Sequence, residues 1–201
     1  MSVAYRIRHT LDRAAIARSR SSLLKLVPAG AICAEIGVWK GDFSQRILDT
    51  VAPTELHLVD PWEAMQEGAY ADAWYGGRLE QGQPGMDAVH AGVLARFARA
   101  RDAGVVHVQR LPSTEAARLF PDGYFDFAYI DGNHFEDYVR ADLAAWSDKV
   151  RPGGLIGGDD YGLAGWWDDG VTRAVDAFVR SGSATLVLLE RTQFALRTRS
   201  A

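Results

Sequence analysis

The chain has 201 residues, of which 48% are hydrophobic and 24% charged, a composition typical of a globular domain. Its formal net charge is −4 at pH 7, and no run of Lys or Arg forms a basic stripe, so nucleic acid and anionic membrane surfaces are not the expected partners. We therefore expect a single domain over residues 1–201 that binds a small molecule.

The single cysteine, Cys33, lies in an apolar stretch and has no partner for an intrachain disulfide. This usage is typical of a buried structural thiol in a reducing compartment. The arginine-rich N-terminus lacks the apolar segment of a signal peptide, and no apolar run is long enough to cross a membrane. We expect a cytoplasmic protein.

Residues 1–28 are predicted to form an N-terminal helical segment that ends at Pro28. Its apolar stripe covers either the edge of a sheet or a partner subunit, so a homodimer is one of two interpretations. The stripe consists of Leu11, Ala15, Ile16, Leu23, Leu24 and Val27.

The stretch from Glu35 to Gly41 follows an apolar run and precedes a helical pattern, which predicts a buried strand turning into a helix. Gly37 permits a conformation barred to other residues, and Gly41 permits close packing of the helix on the strand. Asp60 ends the next apolar run, 23 residues after Gly37 (60 − 37). This interval is close to the ~20 residues expected when a carboxylate on the second strand binds a ribose.

The glycine spacing is Gly-x-x-x-Gly rather than the Gly-x-Gly-x-x-Gly that cradles a dinucleotide pyrophosphate. A nucleoside without phosphates is therefore favoured, although such turns also occur without a ligand. The residues resemble the first motif of class I S-adenosylmethionine-dependent methyltransferases: an acidic residue, a Gly, and a second Gly four residues later. The resemblance implies that Glu35, Gly37 and Gly41 form the cofactor corner and that Asp60 binds the ribose hydroxyls.

Residues 61–99 are predicted to form a lid-like insert, because this glycine-rich connection is too long for a compact α/β unit and carries Trp62, Trp74 and Tyr75. Helical periodicity returns over residues 88–100. A decoration without a role in catalysis is the alternative interpretation.

Strand three is predicted over residues 105–108, followed by Ser113 or Thr114 as the cap of a short helix. Because this cap lies at the carboxyl edge of the sheet, Ser113 is a candidate for contact with the adenine. Capping alone explains the residue equally well.

The second half of the chain alternates strands and helices, which predicts a parallel sheet. Two closing strands without a helix between them imply an antiparallel edge. The predicted elements are strands over 125–130, 155–158, 184–190 and 193–197, and helices over 135–150 and 171–180.

Acidic residues follow strands four and five, at positions Asp131, Asp159 and Asp160. Because these strands should be neighbours, the three carboxylates are expected to converge at the edge that also receives the cofactor. Carboxylates so close together cannot all ionise without a neutralising group. A hard divalent cation, Mg²⁺ by default, would supply that charge and leave positions open for substrate oxygens.

The same residues resemble metal-dependent small-molecule O-methyltransferases, such as catechol O-methyltransferase and the macrocin type. The matching features are Asp-Gly-x-His, Gly-Gly-x-x-x-x-Asp-Asp-Tyr and a separation of 28 residues between Asp131 and Asp159 (159 − 131). The resemblance runs from about residue 31 to residue 178. It implies an α/β, Rossmann-like seven-stranded sheet of order 3-2-1-4-5-7-6 with an antiparallel last strand and helices on both faces. It also implies that Asp131, Asp159 and Asp160 hold Mg²⁺, with Asp131 among the cofactor-binding residues as well.

His134 lies three residues after Asp131, where catechol-type enzymes carry a lysine that acts as general base. An imidazole with a pKa near the operating pH can take the proton of a hydroxyl, so His134 or Asp131 is the expected base. His134 could instead start a helix or support Asp131. Four tryptophans are expected to wall the acceptor pocket: Trp62, Trp74, Trp166 and Trp167.

The resulting hypothesis is a S-adenosylmethionine-dependent O-methyltransferase acting on a sugar, polyol or catechol-like acceptor with Mg²⁺ assistance. Two alternatives stay open at this point. One is an NAD(P)-dependent oxidoreductase on a Rossmann fold, and the other is a non-catalytic S-adenosylmethionine-binding protein.

Overall fold

The computed structural model describes residues 15–65, 75, 82–165 and 167–199. Helix α1 occupies residues 15–24. The strands are β1 (Ile32–Ile36), β2 (Glu55–Val59), β3 (Val106–Gln109), β4 (Phe125–Ile130), β5 (Val150–Gly158), β6 (Ala184–Glu190) and β7 (Gln193–Thr198). The other helices are α2 (Asp42–Val51), α3 (Gly82–Arg96), α4 (Ala98–Asp102), α5 (Ser113–Ala117), α6 (Glu136–Ser147) and α7 (Gly170–Arg180).

The seven strands form one sheet in the order β3-β2-β1-β4-β5-β7-β6, which confirms the predicted order. Strands β1 to β5 pair in parallel, whereas β7 is antiparallel to both of its neighbours. Strand β1 lies between β2 and β4, and its Glu35 is in register with Leu58 and Tyr129. The carboxyl ends of the parallel strands therefore meet at one edge, where open α/β sheets bind ligands.

Alternate residues of the central strands belong to two separate apolar clusters. In β1, Cys33 belongs to one cluster and Ala34 to the other. The first cluster includes side chains of α1, α2 and α3, and the second includes side chains of α5, α6 and α7. Because successive side chains of a strand point to opposite faces, the helices cover both faces of the sheet, as predicted.

Helix α1 packs on the sheet of its own chain. Its Leu23 and Leu24 are buried, and a Cβ added at Gly157 of β5 would lie 3.1 Å from Leu23 Cδ1. Of the two interpretations of the N-terminal stripe, the sheet is therefore the one realised by these residues. The homodimer stays a prediction.

The second half of the insert predicted for residues 61–99 is part of the core rather than a lid. Met86 and Val93 of α3 and the following Phe97 are buried in the same cluster as Trp62. Trp62 is completely buried and donates from Nε1 to the carbonyl of Trp39 at 2.8 Å, so it does not wall an open acceptor pocket. The remainder of the insert lies outside the described residues, except for Tyr75 and residues 61–65.

Among the described helices, none is long and apolar enough to cross a membrane.

Candidate active site

The end of β1 lies directly against the end of β4. Gly37 has φ +89°, and a Cβ added there would lie 2.2 Å from the carbonyl oxygen of Asp131 and 2.7 Å from Gly132 Cα. The amide of Asp131 donates to the carbonyl of Ile36 at 2.8 Å, and the amide of Gly37 donates to the carbonyl of Val59 at 2.9 Å. Only glycine fits at position 37. The glycine turn after β1 is therefore in contact with the acidic edge of the sheet, which is formed by Asp131, Asp159 and Asp160 at the ends of β4 and β5.

Gly41 caps the N-terminus of α2 with φ +75°. A Cβ at this position would lie 2.6 Å from the ring of Phe97. The closest neighbour of Gly41 is therefore the ring of Phe97, the residue after α3.

Glu35 of β1 is 2% exposed and accepts a hydrogen bond from the hydroxyl of Ser44 in α2. Burial raises the pKa of its carboxyl to about 8. The Ser44 hydrogen bond and the charge of Arg20 lower this pKa, but by less than burial raises it. Near neutral pH the folded protein therefore holds this carboxyl largely protonated.

The raised pKa of Glu35 predicts a pH-dependent loss of stability. The contribution of Glu35 to the free energy of unfolding is fully present below the ordinary carboxyl pKa and is lost as pH rises toward about 8. The reason is that the folded state holds a proton that the unfolded chain releases. Glu35→Gln should therefore have a Tm similar to or below the wild type at acid pH and above it in mild alkali. Each unit of pKa difference corresponds to about 1.4 kcal/mol. Thermal unfolding across this pH range, with exposed Glu115→Gln as control, tests this prediction, and a pH-independent difference would contradict it.

Asp60 follows β2, and its carboxylate is enclosed by protein donors. It is 1% exposed; Oδ2 accepts from the amide of Trp39 at 2.8 Å, and Oδ1 accepts from the amide of Trp62 at 2.7 Å and the hydroxyl of Tyr75 at 2.5 Å. Burial raises the pKa of Asp60, and these hydrogen bonds oppose the shift. In this arrangement the Tyr75 hydroxyl occupies an oxygen that a ribose would need. The ribose contact of Asp60 stays a prediction.

Ser113 links two helices rather than capping one. The N-cap of α5 is Pro112, without a side-chain capping bond, so the predicted capping role of Ser113 is wrong. Its Oγ accepts from Trp146 Nε1 of α6 at 2.9 Å and also bonds to Asp142. Burial raises the pKa of Asp142 to about 6, against the effect of the Ser113 hydrogen bond. The adenine contact of Ser113 stays a prediction.

Three of the predicted site residues meet beyond β4 and β5. His134 Nε2 lies 2.5 Å from Asp160 Oδ2 and 3.9 Å from Asp131 Oδ1, and one donor atom from each residue lies within 4.8 Å of the others. The His134–Asp160 contact has the distance of an ion pair, without the alignment of a hydrogen bond. A pocket opens beside these residues and is also lined by Asp159.

The carboxylate of Asp159 is paired with Arg20 of α1. Arg20 Nη2 lies 2.8 Å from Asp159 Oδ2 and 3.5 Å from Asp131 Oδ2. Asp159 Oδ1 accepts from the hydroxyl of Thr192 and, at 2.8 Å, from the amide of Asp160. Sequence reasoning missed Arg20 and Thr192. The signal for Arg20 was its position on the same helical face as Leu23, Leu24 and Val27, where a charged residue is expected to be paired.

The electrostatics of this group follow from burial and mutual charge. Burial, and then the charge of Asp159, raise the pKa of Asp131 to about 7, against the effect of Arg20. Burial lowers the pKa of His134, but the Asp160 contact and the surrounding carboxylates raise it by more. Burial raises the pKa of Asp159, but the Thr192 hydrogen bond and Arg20 lower it by more. The group therefore holds an ionised Asp159, a permanent Arg20 cation and a histidine whose basicity the carboxylates increase.

Trp167 is the predicted wall residue that lies at this group. Its ring centroid is 4.9 Å from that of His134. Trp74 and Trp166 lie outside the described residues.

Among the described residues of this region, Asp131, His134 and Asp160 each offer one donor atom close enough to the others to hold a metal ion. In this arrangement they do not fit Mg²⁺. Adjacent ligands of octahedral Mg²⁺ stand about 3 Å apart, and the ion prefers oxygen. The His134–Asp160 pair is closer, at 2.5 Å, and contributes a nitrogen, while the Arg20 cation adjoins Asp131.

The sheet order, the glycine corner and the acidic edge together define the fold class of S-adenosylmethionine-dependent methyltransferases. The chain belongs to the family whose model is described as "Methyltransferase domain", which matches residues 34–161. It is thus a S-adenosylmethionine-dependent methyltransferase, which confirms the predicted class and excludes the oxidoreductase alternative. No curated protein matches the sequence.

Solved structures share this fold at low sequence identity. A protein from Corynebacterium glutamicum is 16% identical with a TM-score of 0.62, over 100% of this chain and 98% of that one. A candidate caffeoyl-CoA O-methyltransferase from Staphylococcus aureus is 12% identical with a TM-score of 0.62, over 90% and 80%. The 1,6-didemethyltoxoflavin-N1-methyltransferase of Burkholderia thailandensis, solved with its substrate and S-adenosylhomocysteine, is 16% identical with a TM-score of 0.59, over 98% and 84%.

Proposed function

We propose that the protein transfers the methyl group of S-adenosylmethionine to a hydroxyl oxygen of a small-molecule acceptor. The observation that carries this proposal is the His134–Asp160 pair, at 2.5 Å, beside Asp131. Asp131 itself adjoins the glycine corner, since a Cβ at Gly37 would contact its carbonyl. A proton acceptor therefore lies next to the proposed position of the methyl donor.

His134 is the proposed general base, with Asp131 as its competitor. As the acceptor oxygen forms its bond to the methyl carbon, the S–CH₃ bond breaks and S-adenosylhomocysteine leaves as a neutral thioether. The hydroxyl proton passes to His134 in its unprotonated form, whose basicity the surrounding carboxylates increase, and Asp160 stabilises the imidazolium that results. Alignment of oxygen, carbon and sulfur and exclusion of water supply the remaining rate enhancement.

The cofactor is proposed to lie on the corner formed by Glu35, Gly37 and Gly41. The ribose is assigned to Asp60, where it requires the Tyr75 hydroxyl to leave Oδ1, and the adenine to the side of Ser113. Acceptors with neighbouring oxygens, such as a sugar, polyol or catechol-like molecule, suit the site because Asp131 can accept from a second hydroxyl. Mg²⁺ assistance, which the sequence led us to expect, is left out of this mechanism because the donor set does not fit the ion.

The first test is calorimetric titration of S-adenosylhomocysteine into the purified protein, with NAD as a control ligand. We expect micromolar binding of S-adenosylhomocysteine and none of NAD. A panel of sugars, polyols and catechols, assayed by S-adenosylhomocysteine release, then identifies the acceptor class. Binding of the cofactor without turnover on hydroxyl or amine acceptors would instead favour the non-catalytic alternative. Turnover on amines alone would overturn the assignment to oxygen.

A further inference from the structure

We propose that Arg20 is the built-in cation of this site and that the protein transfers methyl groups without a divalent metal ion. This inference rests on the proposed function, because it concerns how the same acidic edge is neutralised.

The position of Arg20 is fixed by the packing of α1. Leu23, one turn further along the helix, lies against Gly157 of β5, where a Cβ would come within 3.1 Å of its side chain. The Arg20 guanidinium carbon lies 5.2 Å from the centroid of the Phe43 ring, and the side chain is 24% exposed. The guanidinium therefore lies between an aromatic face and two carboxylates, in a position that the fold determines.

Arg20 occupies the place that a metal ion would need to reach Asp131 and Asp159 together. Its Nη2 lies 2.8 Å from the Asp159 carboxylate and 3.5 Å from that of Asp131. Burial lowers the pKa of Arg20, but Tyr129 and the carboxylates of Asp131 and Asp159 raise it by more, so its charge is permanent. A divalent ion bound at the same carboxylates would be repelled by this charge across a few ångströms of partly buried protein.

The carboxylates of the acidic pair are also engaged by different protein groups. Asp159 already accepts from Arg20, Thr192 and the amide of Asp160. Asp160 has φ +61° and directs its carboxylate to His134. Of the three acidic residues that the sequence places as a metal triad, Asp159 is thus hydrogen-bonded to protein donors, while Arg20 and His134 are the counter-charges of Asp131 and Asp160.

Arg20 acts in this proposal as a positioning residue, because it works through the two carboxylates that it neutralises. By offsetting part of the charge of Asp131 and Asp159 it reduces the repulsion that would oppose negative charge developing on the acceptor oxygen. A permanent guanidinium supplies this balance without recruiting an ion from solution.

The test is calorimetric titration of Mg²⁺ into the wild-type protein saturated with S-adenosylhomocysteine, together with turnover measured in EDTA and in Mg²⁺. We expect no Mg²⁺ binding at millimolar concentration and less than a twofold difference in turnover. Arg20→Gln should gain Mg²⁺ binding and lose turnover by about tenfold. Arg20→Lys, which keeps a cation, should bind no Mg²⁺. Arg18→Gln removes an exposed arginine of the same helix and is the matched control, with wild-type behaviour expected.

Mg²⁺ binding by the wild type, or loss of turnover in EDTA that Mg²⁺ restores, would overturn the inference and leave the proposed function intact. Failure of the wild type to bind S-adenosylhomocysteine would overturn the proposed function, and the inference with it. The wild-type titration decides the question even if Arg20→Gln fails to fold, which circular dichroism would reveal.

Discussion

Gly37→Ala should abolish S-adenosylhomocysteine binding and lower the free energy of unfolding by about 3 kcal/mol or more. The added Cβ would lie 2.2 Å from the carbonyl oxygen and 2.5 Å from the carbonyl carbon of Asp131. Both contacts are with backbone, so no side chain can rotate to relieve them, and alanine is disfavoured at φ +89°. Strands β1 and β4 would have to separate at the corner assigned to the cofactor. Urea unfolding measures the first effect, and calorimetric titration the second.

Gly30→Ala is the matched control for this substitution. Gly30 lies before β1, at the opposite end of the strand from Gly37, with φ +76° and no atom within 4 Å of an added Cβ. Alanine there carries the conformational cost alone, about 1 kcal/mol, and should leave cofactor binding unchanged. Equal destabilisation by the two substitutions would mean that the contact with Asp131 is not what restricts position 37.

The parts of the fold that depend on local pattern could be predicted from the sequence. Strand and helix alternation and the glycine turn after β1 are short-range features, and the carboxyl ends of neighbouring parallel strands must meet at one edge. For that reason Asp131 and His134 could be placed near Asp160 without a structure. The strand order itself came from the family resemblance, because alternation leaves several orders open.

The misplaced residues depend on contacts that no local pattern contains. Arg20 meets its carboxylates 111 and 139 residues away in the chain. Trp62 lies at the start of a glycine-rich stretch, and it is buried in one cluster with Met86 and Val93 of α3. The donors that enclose the Asp60 carboxylate, the Tyr75 hydroxyl and the amides of Trp39 and Trp62, likewise have no local signal, and the ribose contact of Asp60 stays a prediction.

The acidic pair after β5 illustrates what a sequence motif leaves undetermined. Asp159 and Asp160 are adjacent and were expected to face one ion. The left-handed backbone of Asp160, at φ +61°, instead sends its carboxylate to His134 while Asp159 turns to Arg20. The two carboxylates therefore serve different partners: one neutralises a structural cation and the other orients the proposed base.

The proposed role of His134 as the base predicts that His134→Ala lowers turnover strongly and affects cofactor binding little. Turnover should fall by about 10²- to 10⁴-fold, because the acceptor hydroxyl loses its proton acceptor. Affinity for S-adenosylhomocysteine should change little, since the cofactor corner is formed by other residues. Initial rates of S-adenosylhomocysteine release, with the acceptor found in the panel, give the first quantity and calorimetry gives the second. Added imidazole should restore part of the rate, which a purely structural defect would not allow.

Two further variants identify the base. Asp131→Asn retains the shape of the side chain but not its charge, so it should lower turnover less than His134→Ala if the histidine takes the proton. His107→Ala, in β3 and stacked on His57 with ring centroids 4.7 Å apart, removes a histidine outside the acidic edge and should retain turnover. If His134→Ala instead kept full turnover while Asp131→Asn abolished it, the base would be Asp131. The raised pKa of Asp131, about 7, makes it the natural competitor, because a carboxylate whose pKa lies near the operating pH is an effective general base.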